Sequence, residues 1–581
     1  MRNFKFAFLL IIAGFIVAMA ISWRKDDPKK GGVQKQSLKQ PNIVLILGDD
    51  MGYSDIGCYG GEAATPNLDK LAREGLRYTQ FYNTARCCPS RASLITGLDP
   101  HQAGMGWMTT DDFNLPGYRG DLSHNAVTIA EALKSSGYAT YMTGKWHLNL
   151  HPTPTSSKEN WPLQRGFDHY YGTILGAANY FDPGYLCRDN KLITPFTDSL
   201  YKPASYYFTD AISDNSVRYI REREKDKPLF MYVAYTAAHW PLQAPDSVIA
   251  KYKGRFDKGY EVLRKERLER MKKLGVVDKS AELSPYDGKP WSEEKAKPAM
   301  LRRMETYAAM IDVMDQGIGR IIMQLKKEGI YENTLIFFLQ DNGACAEIMG
   351  GGETRPVAKN PDKIRKPAPD ALVYSNNPPI TRDGKLVMEG KQVMAGPADT
   401  YVSYMQEWAN VSNTPLRKFK HYVHEGGIAT PLIVHWPAGI KAHGEIRTEI
   451  GHEMDIMPTI LDAAKIKYPL TYQKRNIIPV EGISLMPSFS DEPIKREAIY
   501  WEHEMNRAVR MGKWKLVSEG ELRNQFYKSS PWELYDLVND RSELHNLASK
   551  NPVLVKKMSD MWDAYAIRCQ VFPSPWKKTK E

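Results

Sequence analysis

Cys87-Cys88-Pro89-Ser90-Arg91, followed by Ala92-Ser93-Leu94-Ile95-Thr96-Gly97, brings a sulfur side chain, a guanidinium and a helix start within one turn. Pro89 and Ser90 suit a first helical turn, the next residues can continue it, and Gly97 can end it. The side chain at position 87 then sits where unpaired backbone N–H groups and the positive end of the helix dipole gather, and Arg91 adds a fixed cation. An oxyanion such as sulfate or phosphate is the natural guest there. Taken alone, the pair of thiols reads more simply as two inert members of a buried helix.

Other polar residues fall at the ends of apolar runs. Residues 42–47 (Asn-Ile-Val-Leu-Ile-Leu) read as a strand buried on both faces, and Asp49 and Asp50 follow it. Runs 138–143, 228–235 and 333–340 are of the same kind; Lys145 and His147 follow the first, His239 the second, Asp341 and Asn342 the third. Helical patterns alternate with these runs: one opening at Thr65-Pro66 with Leu68, Leu71 and Ala72 on one face, one over 128–136 stopped by Gly137, and a long one over 300–327. Another strand is expected over 430–436. The alternation predicts an α/β fold with a large, mostly parallel sheet flanked by helices, in which ligands bind beyond the carboxyl ends of the strands. Four strand ends would then deliver carboxylates, an amide, a lysine and two histidines to one rim.

Adjacent Asp49 and Asp50 repel unless a cation lies between them. With Asp341 and the Asn342 amide oxygen they make an all-oxygen set that suits Ca²⁺ more than Mg²⁺, and not zinc. Singly, each pair is an ordinary turn or capping pair. Residues 353–401, rich in Pro, Gly, Asn and Lys, read as a long loop near the Asp341 rim that shapes access. Shorter strands after Gly439, over 498–502, 506–511, 513–517 and 533–536, and a helix over 552–567 predict a smaller C-terminal α+β domain with an antiparallel sheet. The expected organisation is a signal peptide or N-terminal anchor over 1–23, a linker over 24–40, a catalytic domain over 41–440 and a C-terminal subdomain over 441–581.

The bulk composition sets limits. The chain has 581 residues, and Lys plus Arg at 78 against Asp plus Glu at 68 gives +10 without a clustered basic patch, which suits an anionic substrate and not nucleic acid. Its 6 cysteines are too few for a disulfide scaffold and allow one bridge at most. An apolar run over 6–23 with Ala18-Met19-Ala20 predicts export to the periplasm or medium, with membrane attachment only if the run stays as an anchor.

With these residues in view, the chain resembles the type I, formylglycine-dependent sulfatases of the alkaline-phosphatase-like superfamily, in the order and spacing of bacterial arylsulfatases. The resemblance rests on Cys87-x-Pro-Ser-Arg91 with Leu94-Ile95-Thr96-Gly97, and extends through Asp49-Asp50-Met51-Gly52, Gly144-Lys145-Trp146-His147, Gly166-Phe167-Asp168, Ala238-His239-Trp240-Pro241, Gln340-Asp341-Asn342-Gly343, Ser412-Asn413-Thr414-Pro415 ahead of Lys420, His424-Glu425-Gly426-Gly427 and Trp532-Glu533-Leu534-Tyr535. It implies that a maturation enzyme oxidises Cys87 to formylglycine, and that Asp49, Asp50, Asp341, Asn342 and position 87 bind one Ca²⁺. A hydroxyl of the hydrated aldehyde would attack sulfur, with Asp341 taking its proton and Arg91 supporting its charge. His239 or Lys420 would protonate the leaving oxygen, His147 would draw the second hydroxyl's proton, and Lys145, His239 and Lys420 would clamp the sulfate. Lys420 is chosen over nearby Lys418 from its spacing to Asn413-Thr414-Pro415. Two other readings share parts of this pattern: a phosphodiesterase or phosphonate monoester hydrolase of the same superfamily, and a non-catalytic sulfate- or glycan-binding protein with unmodified Cys87. The expected substrate is an aryl sulfate or a sulfated carbohydrate.

Overall fold

The apolar runs need shelter on both faces, and a layered fold supplies it. The protein is described by a computed structural model over residues 40–523 and 526–578; the expected signal segment and most of the linker lie outside the described residues. The large sheet is built, in chain order, from β1 (Asn42–Gly48), β2 (Leu76–Tyr82), β3 (Ala139–Lys145), β4 (His169–Thr173), β5 (Leu186–Arg188), β6 (Lys191–Leu192), β7 (Leu229–Ala234), β8 (Thr334–Gln340), β9 (Ala429–His435) and β10 (Glu445–Arg447). Across the sheet the order is β10-β2-β9-β8-β1-β7-β3-β4-β5-β6, with Gly451–His452 also paired to β2.

The centre is parallel. β1 pairs parallel with β7 and β8, placing Ile43 opposite both Phe230 and Leu335, and β3 pairs parallel with β7 and β4. Alternate side chains of β1 then enter two cores: Val44 and Ile46 pack with the helices Phe208–Glu222 and Lys297–Lys327, and Ile43, Leu45 and Leu47 with the helix Cys87–Thr96. A fully buried aliphatic side chain is worth roughly 1.5–3 kcal/mol, so a register slip of one residue, which exchanges the two sets, would cost many of these contacts at once.

Two features depart from simple strand–helix alternation. β9 runs antiparallel to β8, so its amino end, not its carboxyl end, lies at the active rim. β2 was not foreseen as a strand: Arg77 and Gln80 interrupt its apolar residues, yet Leu76, Tyr78, Phe81 and Tyr82 are buried and it leads straight to position 87. β10 and Gly451–His452, beyond the expected boundary at 440, still belong to the large sheet.

The C-terminal domain has the expected antiparallel sheet, Ile499–His503, Asn506–Met511, Trp514–Ser518 and Glu533–Asp536 in that order. The helix Pro552–Arg568 covers it, with Met558, Trp562, Tyr565 and Ala566 against Val509, Leu516 and Leu534. All six cysteines are buried and free. No helix among the described residues is long and apolar enough to cross a membrane.

His101 ties the two parts together. Its ring is fully buried between Asp99 at 3.1 Å and Glu502 at 2.8 Å, and Asp99 also accepts from the Tyr565 hydroxyl at 2.6 Å. Burial pulls its pKa down, but the two carboxylates outweigh that and lift it to about 9. A folded pKa above the unfolded value stabilises fully below about pH 6.5 and is lost as pH rises through about 9, here about 3 kcal/mol in all. We expect His101→Gln to lower the urea midpoint strongly at pH 6 and little at pH 9.5; an equal drop at both pH values would show that shape, not charge, is what His101 supplies.

Candidate active site

The strand ends deliver the foreseen residues to one place. Asp49 and Asp50 leave β1, Lys145 is the last residue of β3, His147 lies two residues on, His239 follows β7, and Asp341 and Asn342 leave β8. Cys87 is the first residue of its helix, which Gly97 ends in the left-handed conformation at φ 70. Lys420 reaches the same rim from upstream of β9, because that strand is reversed. Lys418, only two residues away, pairs instead with Glu519 at 3.3 Å and stacks on Tyr422.

The geometry is a row of buried charges. Arg91 spans two carboxylates: Nε and Nη2 donate to Asp341 Oδ2 at 3.0 and 2.8 Å, and Nη2 lies 3.4 Å from Asp49. Lys145 Nζ donates to Asp49 Oδ2 at 2.7 Å. On the other side, Lys420 Nζ is 2.9 Å from Asp50 Oδ1 and His239 Nε2 is 3.3 Å from Asp50 Oδ2. Asp50, at φ 57, uses its left-handed backbone to turn its N–H toward Asp341 Oδ1 at 3.3 Å, and Asn342 Nδ2 donates to Asp50 Oδ1 at 2.7 Å. His147, also left-handed at φ 55, lies close to Cys87 and Cys88, with its ligand nitrogen and the two sulfurs within 4.8 Å of one another. A side chain at Gly176 would strike the His147 ring at 2.4 Å, so the bare glycine makes room for the imidazole.

Charge and burial set the protonation states. Burial and repulsion from Asp341 raise the Asp49 carboxyl well above its usual range, against the pull of Lys145 and Arg91. Burial also pushes Asp50 up, but His239 and Lys420 more than offset it and bring it below the ordinary value. The Cys87 thiol is held well below its usual range, first by a hydrogen bond from Cys88 and then by Lys145 and His147. Burial drives both His147 and His239 down to about 4, and Lys420, despite burial, is raised well above its ordinary value by Asp50, Cys345 and Glu347.

This site fits a hard cation. Asp49 Oδ1 and Asn342 Oδ1 are buried oxygens without a hydrogen-bond partner among the described residues. Beside them stand the carboxylates of Asp50 and Asp341, and a divalent ion is what such a set of hard oxygen donors accepts.

Residues not foreseen surround this row. Arg86 and His421 adjoin Cys87 and Lys420 in sequence, a signal that neighbourhood alone could have given, whereas Glu347 comes from the loop beyond Asn342 and Glu504 from the C-terminal hairpin with no such signal. Of the aromatic residues near these strand ends, Tyr170, Tyr171 and Tyr180 are buried in the core and Trp107 is partly open. His435 bonds the Tyr331 hydroxyl at 3.2 Å and His169 stacks on Tyr141, both away from position 87. The row predicts a large effect from its central cation. Arg91→Met leaves Asp49 and Asp341 facing each other with Lys145 alone, and is expected to lower unfolding stability by about 3–5 kcal/mol in urea titration; a loss under about 1 kcal/mol would show that Lys145 suffices.

Comparison with known proteins bears directly on this geometry. The sequence model of the Sulfatase family matches residues 41–466, and that of the N-sulphoglucosamine sulphohydrolase C-terminal region matches 418–564. The chain is 33% identical to an uncharacterized sulfatase of Schizosaccharomyces pombe over 92% of its own length and 95% of that protein's. It is 32% identical to the arylsulfatase of Klebsiella aerogenes, over 78% of this chain and 93% of the relative. The solved structure of Ps i-CgsB in complex with k-i-k-neocarrahexaose superposes with a TM-score of 0.61 at 25% identity, covering 93% of this chain and 95% of that one. With the family model matched over most of its length and its strand-end residues gathered at one rim, the chain belongs to the sulfatase family and is a sulfatase.

Proposed function

We propose that this sulfatase cleaves sulfate monoesters to an alcohol or phenol and inorganic sulfate, with formylglycine made from Cys87 and one Ca²⁺ held by Asp49, Asp50, Asp341, Asn342 and position 87. The observation that carries this reading is the pair of unpartnered buried oxygens, Asp49 Oδ1 and Asn342 Oδ1, set among carboxylates beside the helix start that bears Cys87. When bound, the cation would offset the carboxylates and polarise a sulfate oxygen, and the hydrated aldehyde would present a hydroxyl nucleophile in place of a thiol.

The chain's own residues divide the remaining work. Arg91 fixes Asp341 through two hydrogen bonds, which orients that carboxylate for a proton from position 87. His147, neutral at pH 7 and close to Cys87, is placed to accept a second proton. Lys145 and Lys420 stand on opposite sides of the row and supply fixed positive charge to sulfate oxygens. The His239 Nδ1 lies 2.7 Å from the Trp240 carbonyl, which can only accept, so that nitrogen carries a proton, and the ring's Nε2 lies 3.3 Å from Asp50 Oδ2. His239 Nε2 and Lys420 Nζ both stand at Asp50, and either can give a proton to the leaving oxygen.

Family membership leaves the leaving group open between aryl and carbohydrate, since the relatives include an arylsulfatase and a neighbour solved with a neocarrahexaose. Protein expressed with a formylglycine-generating enzyme is expected to carry an aldehyde at position 87 by peptide mass spectrometry and to hydrolyse 4-nitrophenyl sulfate at least 100-fold faster than the phosphate and phosphonate esters. Cys87→Ala is expected to lower that turnover at least 1,000-fold. Added Ca²⁺ is expected to raise the melting temperature of the wild type but not of Asp341→Asn. A free thiol at 87 in active protein, or faster phosphate ester cleavage, would refute this chemistry.

We further propose that residues 1–23 direct export, supported by the apolar run and Ala18-Met19-Ala20. Amino-terminal sequencing of the extracytoplasmic protein is expected to begin at Ile21; recovery of the whole chain from the cytosol would exclude it.

A further inference from the structure

Outside the buried row lies a collar of charged side chains that the chemistry at position 87 does not use. The side chains of Arg86 and Glu347 are 13% and 18% exposed and those of His421 and Glu504 25% and 24%, whereas those of Arg91, Lys145, Asp49 and Asp341 are at 0%. Exposure rises from the row to these four residues, so they lie on its solvent side. Arg86 precedes Cys87, His421 follows Lys420, and Glu347 lies 3.5 Å from Lys420 Nζ. Trp240, next to His239, donates from Nε1 to Glu347 Oε2 at 2.7 Å, and Tyr401, at the end of the long loop, meets its ring edge-on at 5.6 Å.

Glu504 arrives from the other domain. It and Met505 form the two-residue turn between Ile499–His503 and Asn506–Met511, at φ 53 and 64. A turn with both residues left-handed is ordinarily made by Asn-Gly, and Glu-Met is a poor choice for the backbone alone. Met505 is buried against Tyr118 and Trp576, which anchors the tip and aims Glu504 inward. Its Oε1 accepts from Arg86 Nη1 at 2.9 Å and from His421 Nδ1 at 2.8 Å, while His421 Nε2 bonds Glu347 Oε1 at 3.0 Å. None of these contacts engages Glu504 Oε2.

We propose that this collar is the recognition subsite for a polyhydroxylated leaving group, a sugar ring bearing the sulfate, with Glu504 Oε2 accepting from a ring hydroxyl, Arg86 donating to another and Trp240 flanking the ring. An apolar aryl or steroid group would strip water from two carboxylates and a guanidinium and return no hydrogen bonds. Sugar hydroxyls both donate and accept, so they replace that water. The assignment rests on sulfate ester hydrolysis at position 87, and it narrows the substrate to a carbohydrate sulfate. It also gives the C-terminal domain a direct part in substrate choice, because a site built to bond hydroxyls discriminates strongly against a ligand that lacks them.

The test uses the full, aldehyde-bearing enzyme on 4-nitrophenyl sulfate and on monosulfated galactose, glucose, fucose, N-acetylglucosamine and N-acetylgalactosamine. The quantity read is kcat/KM for the best sugar sulfate divided by that for 4-nitrophenyl sulfate. Glu504→Gln is expected to lower this ratio at least fivefold; a smaller fall overturns the proposal. A second measurement needs no variant: in the wild type, the deoxy analogue of the best sugar sulfate lacking the hydroxyl beside the sulfated carbon is expected to lose at least tenfold in kcat/KM, and equal turnover of the two overturns the proposal. Turnover of 4-nitrophenyl sulfate with none of the sugar sulfates overturns it as well while leaving the sulfatase chemistry intact, whereas failure on every sulfate ester overturns that chemistry and this subsite with it.

Discussion

Three buried carboxylates on adjacent strand ends are the constraint around which this molecule is arranged. Asp49, Asp50 and Asp341 are each at most 1% exposed. Uncompensated, ionised groups so buried would cost several kcal/mol apiece. The fold answers by carrying cations from remote parts of the chain: Arg91 from the helix after β2, Lys145 from β3 and Lys420 from the turn before β9. Each carrier is fixed by the sheet's pairing, so strand order is also charge order. β3 and β8 flank the β1–β7 pair, and the lysine of one and the aspartate of the other meet the aspartates of β1 from opposite sides.

A second buried ionic group shows the same logic at the join with the C-terminal domain. Lys515 lies 3.0 Å from Glu425 and 2.9 Å from Glu543, Arg541 lies 3.3 Å from Glu425, and Tyr82 donates to Glu425 at 2.9 Å. Such clusters add little net stability, since desolvation offsets much of the attraction. Their geometric effect is specific. They seat the C-terminal sheet on the segment His424-Glu425-Gly426-Gly427, and so hold in place both Lys420, upstream of that segment, and the hairpin that carries Glu504.

What the sequence disclosed follows from how local each signal is. The strands β1, β7 and β8 were legible because burial on both faces demands nearly unbroken apolar runs, β3 because aromatic and β-branched residues follow the Gly137 stop, and the residues after them were legible because parallel strands end at one rim. The helix at Cys87 was legible down to its Gly97 stop. β2 was hidden because Arg77 and Gln80 break its run; Gln80 pairs with Arg510 and Arg77 with the Cys58 carbonyl, partners that lie in other elements. Lys420 could be picked from Lys418 only by its spacing within a family pattern, since the reversal of β9 that brings it to the rim is a property of the whole sheet. Glu504 left no trace, because a left-handed turn is not visible in the residues Glu-Met, and its hydrogen-bond partners Arg86 and His421 are more than eighty positions away.

The charge balance also bears on why position 87 would be better served by an aldehyde hydrate than by the encoded thiol. Against Asp49, Asp50 and Asp341 the row sets Arg91, Lys145 and Lys420, so the side chains alone come close to neutrality. Under the proposed chemistry, a divalent ion in the oxygen set would add the positive excess that an anionic sulfate ester needs. The Cys87 thiol is held well below its usual range, first by its hydrogen bond from Cys88 and then by Lys145 and His147, and ionises readily. A thiolate there would consume part of that excess and repel the substrate from its own nucleophile. A neutral hydroxyl-bearing group would leave that excess to the sulfate and could give its proton to a carboxylate oriented by Arg91 or to an imidazole that burial keeps uncharged. The same surroundings that activate the cysteine as a thiol thus make the thiol a poor final occupant of the position.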